Sequence, residues 1–208
     1  MVAIVDYGVG NLFSLQSSFS AIGAEVTVTA DPEVLRSADC VLLPGVGAFE
    51  DAAKKLRSTG LDTVLKELAG NGKPLMGICL GMQMLFERSY EYGCHEGLGL
   101  LKGSVRPIRD VIPADYKIPH IGWNGLAFKK SSPLLKYVQP GDHVYFVHSY
   151  YASDCGNAVI ATAEYGAELT AAVGEGNVFG CQFHPEKSGD VGLKILKAFV
   201  EMGETGIC

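Results

Sequence analysis

The sequence has few positive charges, and none of them lies near its amino terminus. Its 208 residues include 17 Lys or Arg against 23 Asp or Glu, a formal charge of -6. A basic surface for nucleic acid is therefore not expected. The first basic residue is Arg36, and no apolar run approaches the ~18 residues of a membrane span. We accordingly expect no signal peptide, no membrane segment and a cytoplasmic location.

The sequence also lacks the spacing patterns of disulfide scaffolds, metal sites and nucleotide loops. Its six cysteines show no CxxC spacing, so we interpret them as mostly reduced thiols and expect no metal. No GxxxxGK[ST] segment occurs. The glycine-rich turns at 8–10 and 45–47 carry Phe13 and Glu50 where a dinucleotide loop has its third glycine. A bound nucleotide cofactor is therefore not expected. The cysteines are Cys40, Cys79, Cys94, Cys155, Cys181 and Cys208.

The first half of the chain alternates short β-branched runs with amphipathic segments. Apolar positions spaced by three and four predict a helix over 12–22, capped by Asn11. Such alternation is typical of a parallel sheet with helices on both faces. The predicted strands are 2–5, 25–29, 40–43 and 75–78, and the further predicted helices are 32–37, 49–58, 61–69 and 81–88.

The second half is richer in strand signals and closes with a helical segment. We find no internal repeat or linker, so residues 1–208 are predicted to form a single α/β domain. It would hold an open, mostly parallel central sheet with helices on both faces and additional antiparallel strands in the second half. The predicted strands are 98–105, 144–151, 158–163, 169–173 and 178–183, and the predicted helix is 189–202.

A glycine-flanked cysteine is the strongest local signal. Cys79 lies between Gly77 and Gly81, after a predicted buried strand and before a predicted helix. This spacing indicates a nucleophile elbow with sulfur in place of a hydroxyl. The glycines would let strand and helix pack closely, and the helix N-terminus would favour a thiolate. The alternative is that Cys79 is an ordinary small buried residue.

A candidate base follows the last predicted strand. His184 is separated from Glu186 by one proline, which disfavours a helix, and residues two apart in an extended chain face the same side. Glu186 could therefore orient the imidazole while its other nitrogen serves Cys79. A His and a Glu two apart are common by chance. Their position at a strand end, like that of Cys79, makes the combination informative.

A third element is the turn Pro44-Gly45-Val46-Gly47, which follows another predicted strand. Such a turn can present backbone N–H groups to an oxyanion, although it could also be an ordinary loop. His148 lies within a predicted strand and is interpreted as a structural residue or part of a pocket wall.

With these elements together, the chain resembles the triad-type glutamine amidotransferases. Within them it is similar to the glutaminase subunits of imidazole glycerol phosphate synthase. The resemblance implies Cys79 as nucleophile, His184 as base and acid, and Glu186 as orienting carboxylate. The blocks that carry the narrower similarity are 6–14, 119–124, 145–150 and 182–188.

The resemblance also implies where glutamine and a partner protein bind. The loop around Val46 would form the oxyanion hole. The remaining expected glutamine-binding residues are Gly45, Gly47, Gln83, Glu91, His148, Ser149 and Tyr150. The partner would be a separate (β/α)8 cyclase subunit, bound as a heterodimer, that uses the ammonia in histidine biosynthesis. The residues expected to face it are Asn11, Trp123, Asn124 and Lys187. No cofactor or metal is implied.

Three alternatives remain open from the sequence. A related amidotransferase could feed another synthase, such as one in a cell-surface sugar pathway. A catalytically idle regulatory subunit could keep the same fold, although the complete triad argues against it. A different cysteine hydrolase or redox protein could use the same architecture.

Overall fold

The computed structural model describes residues 1–205, so Cys208 lies outside the described residues. The first half alternates strands and helices as predicted. Its strands are β1 (Val2–Val5), β2 (Val26–Thr29), β3 (Cys40–Leu43) and β4 (Leu75–Ile78). Its helices are α1 (Leu12–Ala21), α2 (Pro32–Ser37), α3 (Phe49–Ser58), α4 (Leu61–Gly70) and α5 (Leu80–Met84).

The second half contributes mostly strands and one long helix, as predicted. Its strands begin with β5 (Phe86–Ser89), β6 (His95–Glu96), β7 (Leu101–Pro107), β8 (His120–Gly125) and β9 (Ala127–Phe128). They continue with β10 (His143–His148), β11 (Tyr150–Ser153), β12 (Val159–Glu164), β13 (Glu168–Glu175) and β14 (Val178–Cys181). The chain then forms α6 (Gly189–Thr205).

One eight-stranded sheet organises the molecule, in the order β2-β1-β3-β4-β14-β13-β12-β9. β2, β1, β3, β4 and β14 run parallel, and the last three strands are antiparallel additions. Because β3, β4 and β14 are neighbouring parallel strands, their carboxyl ends lie side by side at the same end of the sheet. The three sequence elements singled out above therefore meet there.

Helices cover both faces of this sheet, and side-chain alternation along the strands builds a core on each. In β1, Ala3 and Val5 belong to one apolar cluster, while Val2 and Ile4 belong to the other. Strands with both faces buried read as continuous apolar runs, which is why β1, β3 and β4 were predictable from sequence. The predicted α/β fold class is confirmed.

The predicted helix 81–88 is wrong in its second half. Helix α5 ends at Met84, and residues 86–89 form β5, which pairs in parallel with β7. The carbonyls of Met84, Leu85 and Phe86 accept hydrogen bonds from backbone amides of residues 98–101. These contacts occupy the acceptors that a continuing helix would use, so tertiary pairing overrides local propensity.

The predicted strand 144–151 is in fact two strands in two different sheets. β10 pairs with β8, whereas β11 pairs with β7. The break falls at Ser149, whose carbonyl accepts a hydrogen bond from the Ile108 amide at 3.0 Å. The segment that turns between the two sheets becomes one wall of the site described below.

Smaller differences concern element ends and caps. β8 and β9 had no predicted counterpart, and the strand predicted at 98–105 lies at Leu101–Pro107. Asn11 is the N-cap residue of α1, as predicted, but its side chain makes no capping hydrogen bond. Among residues 1–205, no helix has the length and apolar character needed to cross a membrane.

Candidate active site

Cys79 sits on a sharp turn between β4 and α5. Its backbone φ is 54°, a left-handed conformation that a residue with a side chain rarely adopts. The turn is held by the Cys79 amide, which donates to the Cys181 carbonyl at 2.7 Å. A Cβ on Gly77 would lie 2.5 Å from the Gly81 carbonyl oxygen, and one on Gly81 would overlap the Leu43 carbonyl. The elbow therefore requires both glycines, as the sequence predicted.

His184 and Glu186 follow β14 and are hydrogen-bonded as predicted. Nδ1 of His184 donates to Oε1 of Glu186 at 2.8 Å, and both side chains are almost fully buried. A proton held on Nδ1 leaves Nε2 as the nitrogen that exchanges protons with a reactant. The structure thus brings the three predicted triad residues together.

The electrostatics of this cluster favour a protonated imidazole. Burial by itself lowers the pKa of His184, but hydrogen bonds and negative charge from Cys79 and Glu186 outweigh it. The net effect raises the pKa of His184 from 6.5 to about 9. An imidazolium next to sulfur stabilises the thiolate, which is the nucleophilic form of cysteine.

The glycine turn after β3 packs directly against the elbow. A Cβ on Gly45 would lie 2.6 Å from the Gly81 amide nitrogen, so only glycine permits this approach. The buried Tyr7 hydroxyl donates to the Pro44 carbonyl at 2.7 Å and anchors the start of the turn. Gly47 has a φ of 93° with open space beside it. Backbone amides of this turn are thereby placed at the rim of the pocket that holds Cys79.

A cavity of about 510 Å³ opens above Cys79 and His184. This is large enough for an amino acid and small enough to select among ligands. Of the predicted glutamine-binding residues, only Gly45 does not line it, since it lies beneath the turn against α5. The predicted residues that line the cavity are Val46, Gly47, Gln83, Glu91, His148, Ser149 and Tyr150.

Gln83 and Gln182, which lie 99 positions apart in the sequence, are hydrogen-bonded to each other at the floor of the cavity. The Gln83 amide nitrogen donates to the Tyr150 carbonyl at 3.1 Å and to the Gln182 side-chain oxygen at 3.0 Å. Gln182 is fully buried, and its nitrogen lies 3.8 Å from the Cys79 sulfur as a donor. Gln182 was not among the predicted site residues. The spacing could have indicated it, because residues two apart in an extended chain face the same side and Gln182 lies two positions before His184.

Glu91 approaches the cavity from the loop after β5. Its Oε2 accepts a hydrogen bond from the Phe49 amide at 2.6 Å, at the start of α3. This contact ties the carboxylate to the helix that follows the glycine turn. A carboxylate held at a pocket wall is suited to bind an ammonium group.

Two of the predicted partner-facing residues, Trp123 and Lys187, both lie against the ring of Tyr145. Tyr145 packs edge-on against Trp123 at 5.9 Å, and the Lys187 ammonium lies 5.9 Å from the centre of the same ring. Trp123 is 53% exposed, and Phe13 on α1 is 79% exposed. The turn that carries Lys187 contacts α1, which begins immediately after Asn11. We call Trp123, Tyr145 and Lys187 the aromatic surface.

Hydrogen bonds of the Tyr145 backbone connect the aromatic surface to residues 184–188, which we call the catalytic turn. The His184 amide donates to the Tyr145 carbonyl at 2.9 Å. The Ser188 hydroxyl accepts from the Tyr145 amide at 3.0 Å and donates to the His184 carbonyl at 2.6 Å. Asn124 differs from its neighbours, because its side chain is bonded inward to His120 and to the Glu164 carbonyl.

The other described cysteines offer no rival nucleophile on a strained turn. All five described cysteines are unpaired, in line with the expected reduced thiols. Burial raises the pKa of Cys40 and of Cys155 to about 12, and raises that of Cys181 as well, so these thiols stay protonated. Within residues 1–205, no group of three or more His, Cys, Asp or Glu side chains is arranged to hold a metal ion.

Comparisons with known proteins agree with this geometry. The family model "Glutamine amidotransferase class-I" matches residues 3–202. The chain is 50% identical to "Imidazole glycerol phosphate synthase subunit HisH" of Geobacillus sp. (strain WCH70), with 98% of each chain covered. It is 49% identical to the subunit of that name from Lactococcus lactis subsp. lactis (strain IL1403), with 96% of this chain and 98% of the relative covered.

Solved structures support the fold. A crystal structure of a glutamine amidotransferase has a TM-score of 0.77 at 20% identity, covering 99% of this chain and all of that one. PurLQS from Thermotoga maritima has a TM-score of 0.75 at 22% identity, covering 96% of this chain and 97% of its own. Taken with the sequence relatives, these matches show that the chain belongs to the class-I glutamine amidotransferase family and, within it, to the HisH subunits of imidazole glycerol phosphate synthase.

Proposed function

We propose that this chain hydrolyses glutamine to glutamate and ammonia and passes the ammonia to a (β/α)8 cyclase subunit. The complex would make imidazole glycerol phosphate and AICAR in histidine biosynthesis. One observation carries the chemistry: Cys79 stands on a strained elbow beside a histidine that is hydrogen-bonded to a buried carboxylate. The full-length identity to HisH subunits supports this acceptor over another synthase.

The first half-reaction forms a thioester. The Cys79 thiolate attacks the side-chain carboxamide carbon of glutamine, and backbone N–H groups at Val46 and Gly47 stabilise the oxyanion. His184 gives its Nε2 proton to the leaving nitrogen, so the C–N bond breaks and ammonia departs. Glu186 keeps the Nδ1 proton in place and stabilises the positive imidazolium.

The second half-reaction releases glutamate. His184, now neutral at Nε2, removes a proton from water, and the hydroxide attacks the thioester carbon. The C–S bond breaks, and the thiolate of Cys79 and the imidazolium of His184 are regenerated. The Glu91 carboxylate is placed to bind the α-ammonium group of the substrate, and Gln83 and Tyr150 form the floor beneath it.

The aromatic surface, with Asn11 and Asn124 nearby, is proposed to face the cyclase. Exposed aromatic residues next to a cation are typical of interface centres. Because the Tyr145 backbone is bonded to His184, contact at this surface can reach the catalytic turn directly.

We further propose that residues 1–208 form one amidotransferase domain that acts in the cytoplasm. The family model spans nearly the whole chain, and the central sheet takes strands from both halves. A reducing compartment keeps the Cys79 thiol available.

The test is glutamate release from glutamine by the chain together with its cyclase. Cys79→Ala should lower turnover by on the order of a million-fold while the fold survives. Cys94→Ala is the matched control, because Cys94 is exposed and lies outside the cavity. Substantial glutamate release by Cys79→Ala would refute the proposed function.

A further inference from the structure

A continuous chain of contacts at hydrogen-bond distance runs from Asn124, beside the aromatic surface, to the cavity floor. Asn124 Oδ1 lies 2.8 Å from His120 Nε2, and His120 Nδ1 lies 2.9 Å from His148 Nε2. His148 Nδ1 lies 2.8 Å from the Tyr150 carbonyl. That carbonyl also accepts from Gln83, whose amide reaches Gln182 next to Cys79.

Both ends of the histidine pair face an acceptor. The Tyr150 carbonyl can only accept a hydrogen bond. Asn124 is oriented by its amide nitrogen, which donates to the Glu164 carbonyl at 2.8 Å, so its oxygen is the atom that faces His120. Three contacts therefore each require a proton on an imidazole nitrogen, whereas two neutral histidines carry only two.

Burial makes the pair neutral. Burial lowers the pKa of His148 to about 4 and lowers the pKa of His120 as well. The groups around the pair are His184, whose positive charge further disfavours protonation of His148, and the uncharged rings of Phe146 and Tyr165 stacked on His120. At neutral pH the chain of contacts is one proton short.

We propose that His120 and His148 are positioning residues that hold the Tyr150 carbonyl in one of two tautomeric arrangements. The third placement of two protons is disfavoured, because it leaves the bare nitrogens His120 Nδ1 and His148 Nε2 facing each other at 2.9 Å. In the pocket-held arrangement, His148 Nδ1–H donates to Tyr150 and His120 Nδ1–H donates to His148. His120 Nε2 is then bare and releases Asn124. In the surface-held arrangement both protons are on Nε2, so Asn124 is bound and Tyr150 is released.

The exchange between the arrangements conserves protons. His120 loses its Nε2 proton to water and takes one on Nδ1 from His148 Nε2, while His148 Nδ1 gains a proton from water. A partner that draws the Asn124 side chain outward selects the pocket-held arrangement. The inference rests on the proposed function, because it assigns the Tyr150 carbonyl a place in the glutamine pocket.

The first measurement is the nitrogen chemical shift of both imidazole rings in the free chain, which distinguishes Nδ1–H from Nε2–H. We expect the wild type to populate both tautomers. Asn124→Ala removes the acceptor at the surface end, so both rings should become Nδ1–H. A doubly protonated ring in the wild type at pH 7, or tautomers unchanged in Asn124→Ala, would overturn the proposal.

The second measurement is the glutamine concentration that half-protects Cys79 from iodoacetamide, followed by mass spectrometry of the Cys79 peptide. Asn124→Ala should lower this concentration and His148→Phe should raise it, so that the two variants differ by about fivefold, the effect of one neutral hydrogen bond. A merely structural role would weaken protection in both variants. Asn71→Ala and His143→Ala are controls, because both residues are exposed and outside the contact chain.

The outcomes separate the two proposals. If glutamine fails to protect Cys79 in the wild type, the proposed function is wrong. If protection occurs but both variants match the wild type, or both weaken it, the positioning role is wrong. Since the tautomer measurement needs no His148 variant, the proposal remains testable even if His148→Phe does not fold.

Discussion

The triad residues have separable tasks, because His184 moves protons whereas Glu186 only orients and stabilises the ring. We expect Glu186→Gln to lower glutamate release less severely than His184→Ala, since the glutamine side chain still offers an oxygen to Nδ1–H. Turnover of both variants, with folding checked by circular dichroism, gives the comparison. Equal inactivity of two folded variants would assign Glu186 a larger role than orientation.

The protonation of His184 depends on the sulfur beside it. After the opposing effect of burial, the hydrogen bond with Cys79 is the leading cause of the pKa of about 9. We therefore expect the pKa of His184 to fall in Cys79→Ala, measured by following its ring signals from pH 5 to 10. An unchanged pKa would show that Glu186 alone sets it.

The same shift has a consequence for stability. A pKa raised in the folded state stabilises the protein fully below the unfolded value of about 6.5 and progressively less as pH rises through 9. The contribution of His184, on the order of 3 kcal/mol, is thus lost on the alkaline side. Urea unfolding at pH 6 and at pH 9.5 measures how much the free energy of unfolding falls between the two pH values. This decrease should be larger for the wild type than for Cys79→Ala.

At the scale of elements, three backbone segments pass within van der Waals contact at the elbow. Gly81 contacts the end of β3 so closely that any side chain would overlap the Leu43 carbonyl. Gly81→Ala should therefore destabilise the protein by about 3 kcal/mol, because a packed backbone must move to admit it. Chemical unfolding measures the loss, and glutaminase activity reports the displaced Cys79.

Gly70→Ala is the matched control. A Cβ at Gly70 meets no atom within 4 Å, and the residue lies at the end of α4. Alanine there should leave stability unchanged or slightly raised. Similar losses in both variants would show that the close packing at the elbow is not what requires Gly81.

At the scale of the whole molecule, the glycine turn and the aromatic surface suggest control by the partner. We expect glutamate release to be low in the free chain and to rise strongly once the cyclase holds its ribonucleotide, because free ammonia would be lost. One oxyanion hydrogen bond is worth roughly 3 to 4 kcal/mol, a few hundred-fold in rate. Rotation of one peptide at Val46-Gly47 therefore suffices as a gate.

The measurement compares steady-state glutamate release by the free chain, the binary complex and the ribonucleotide-loaded complex. Gly47 has a φ of 93° with open space beside it, so Gly47→Ala adds backbone strain without a clash. It should change the ratio among the three states more than it changes stability. Equal rates in all three states would reject the gate and leave the triad untouched.

Local sequence was sufficient to predict the elements that are buried on both faces or that bury one face with a regular period. β1, β3 and β4 are continuous apolar runs, and α3 presents a single apolar side. The elbow was also determined locally, because Gly77 and Gly81 flank Cys79 within one turn of chain. His184 and Glu186 needed only the spacing of an extended segment.

Tertiary structure decided what depends on distant strands becoming neighbours. Residues 86–89 became a strand, and the chain broke at Ser149, because pairing with β7 and β8 outweighed local preference. The hydrogen-bond partners of Asn124 and Gln182 could not be found from sequence, since those partners lie on other elements. A side-chain hydrogen bond has no sequence period, so only the order of strands in the sheets reveals it.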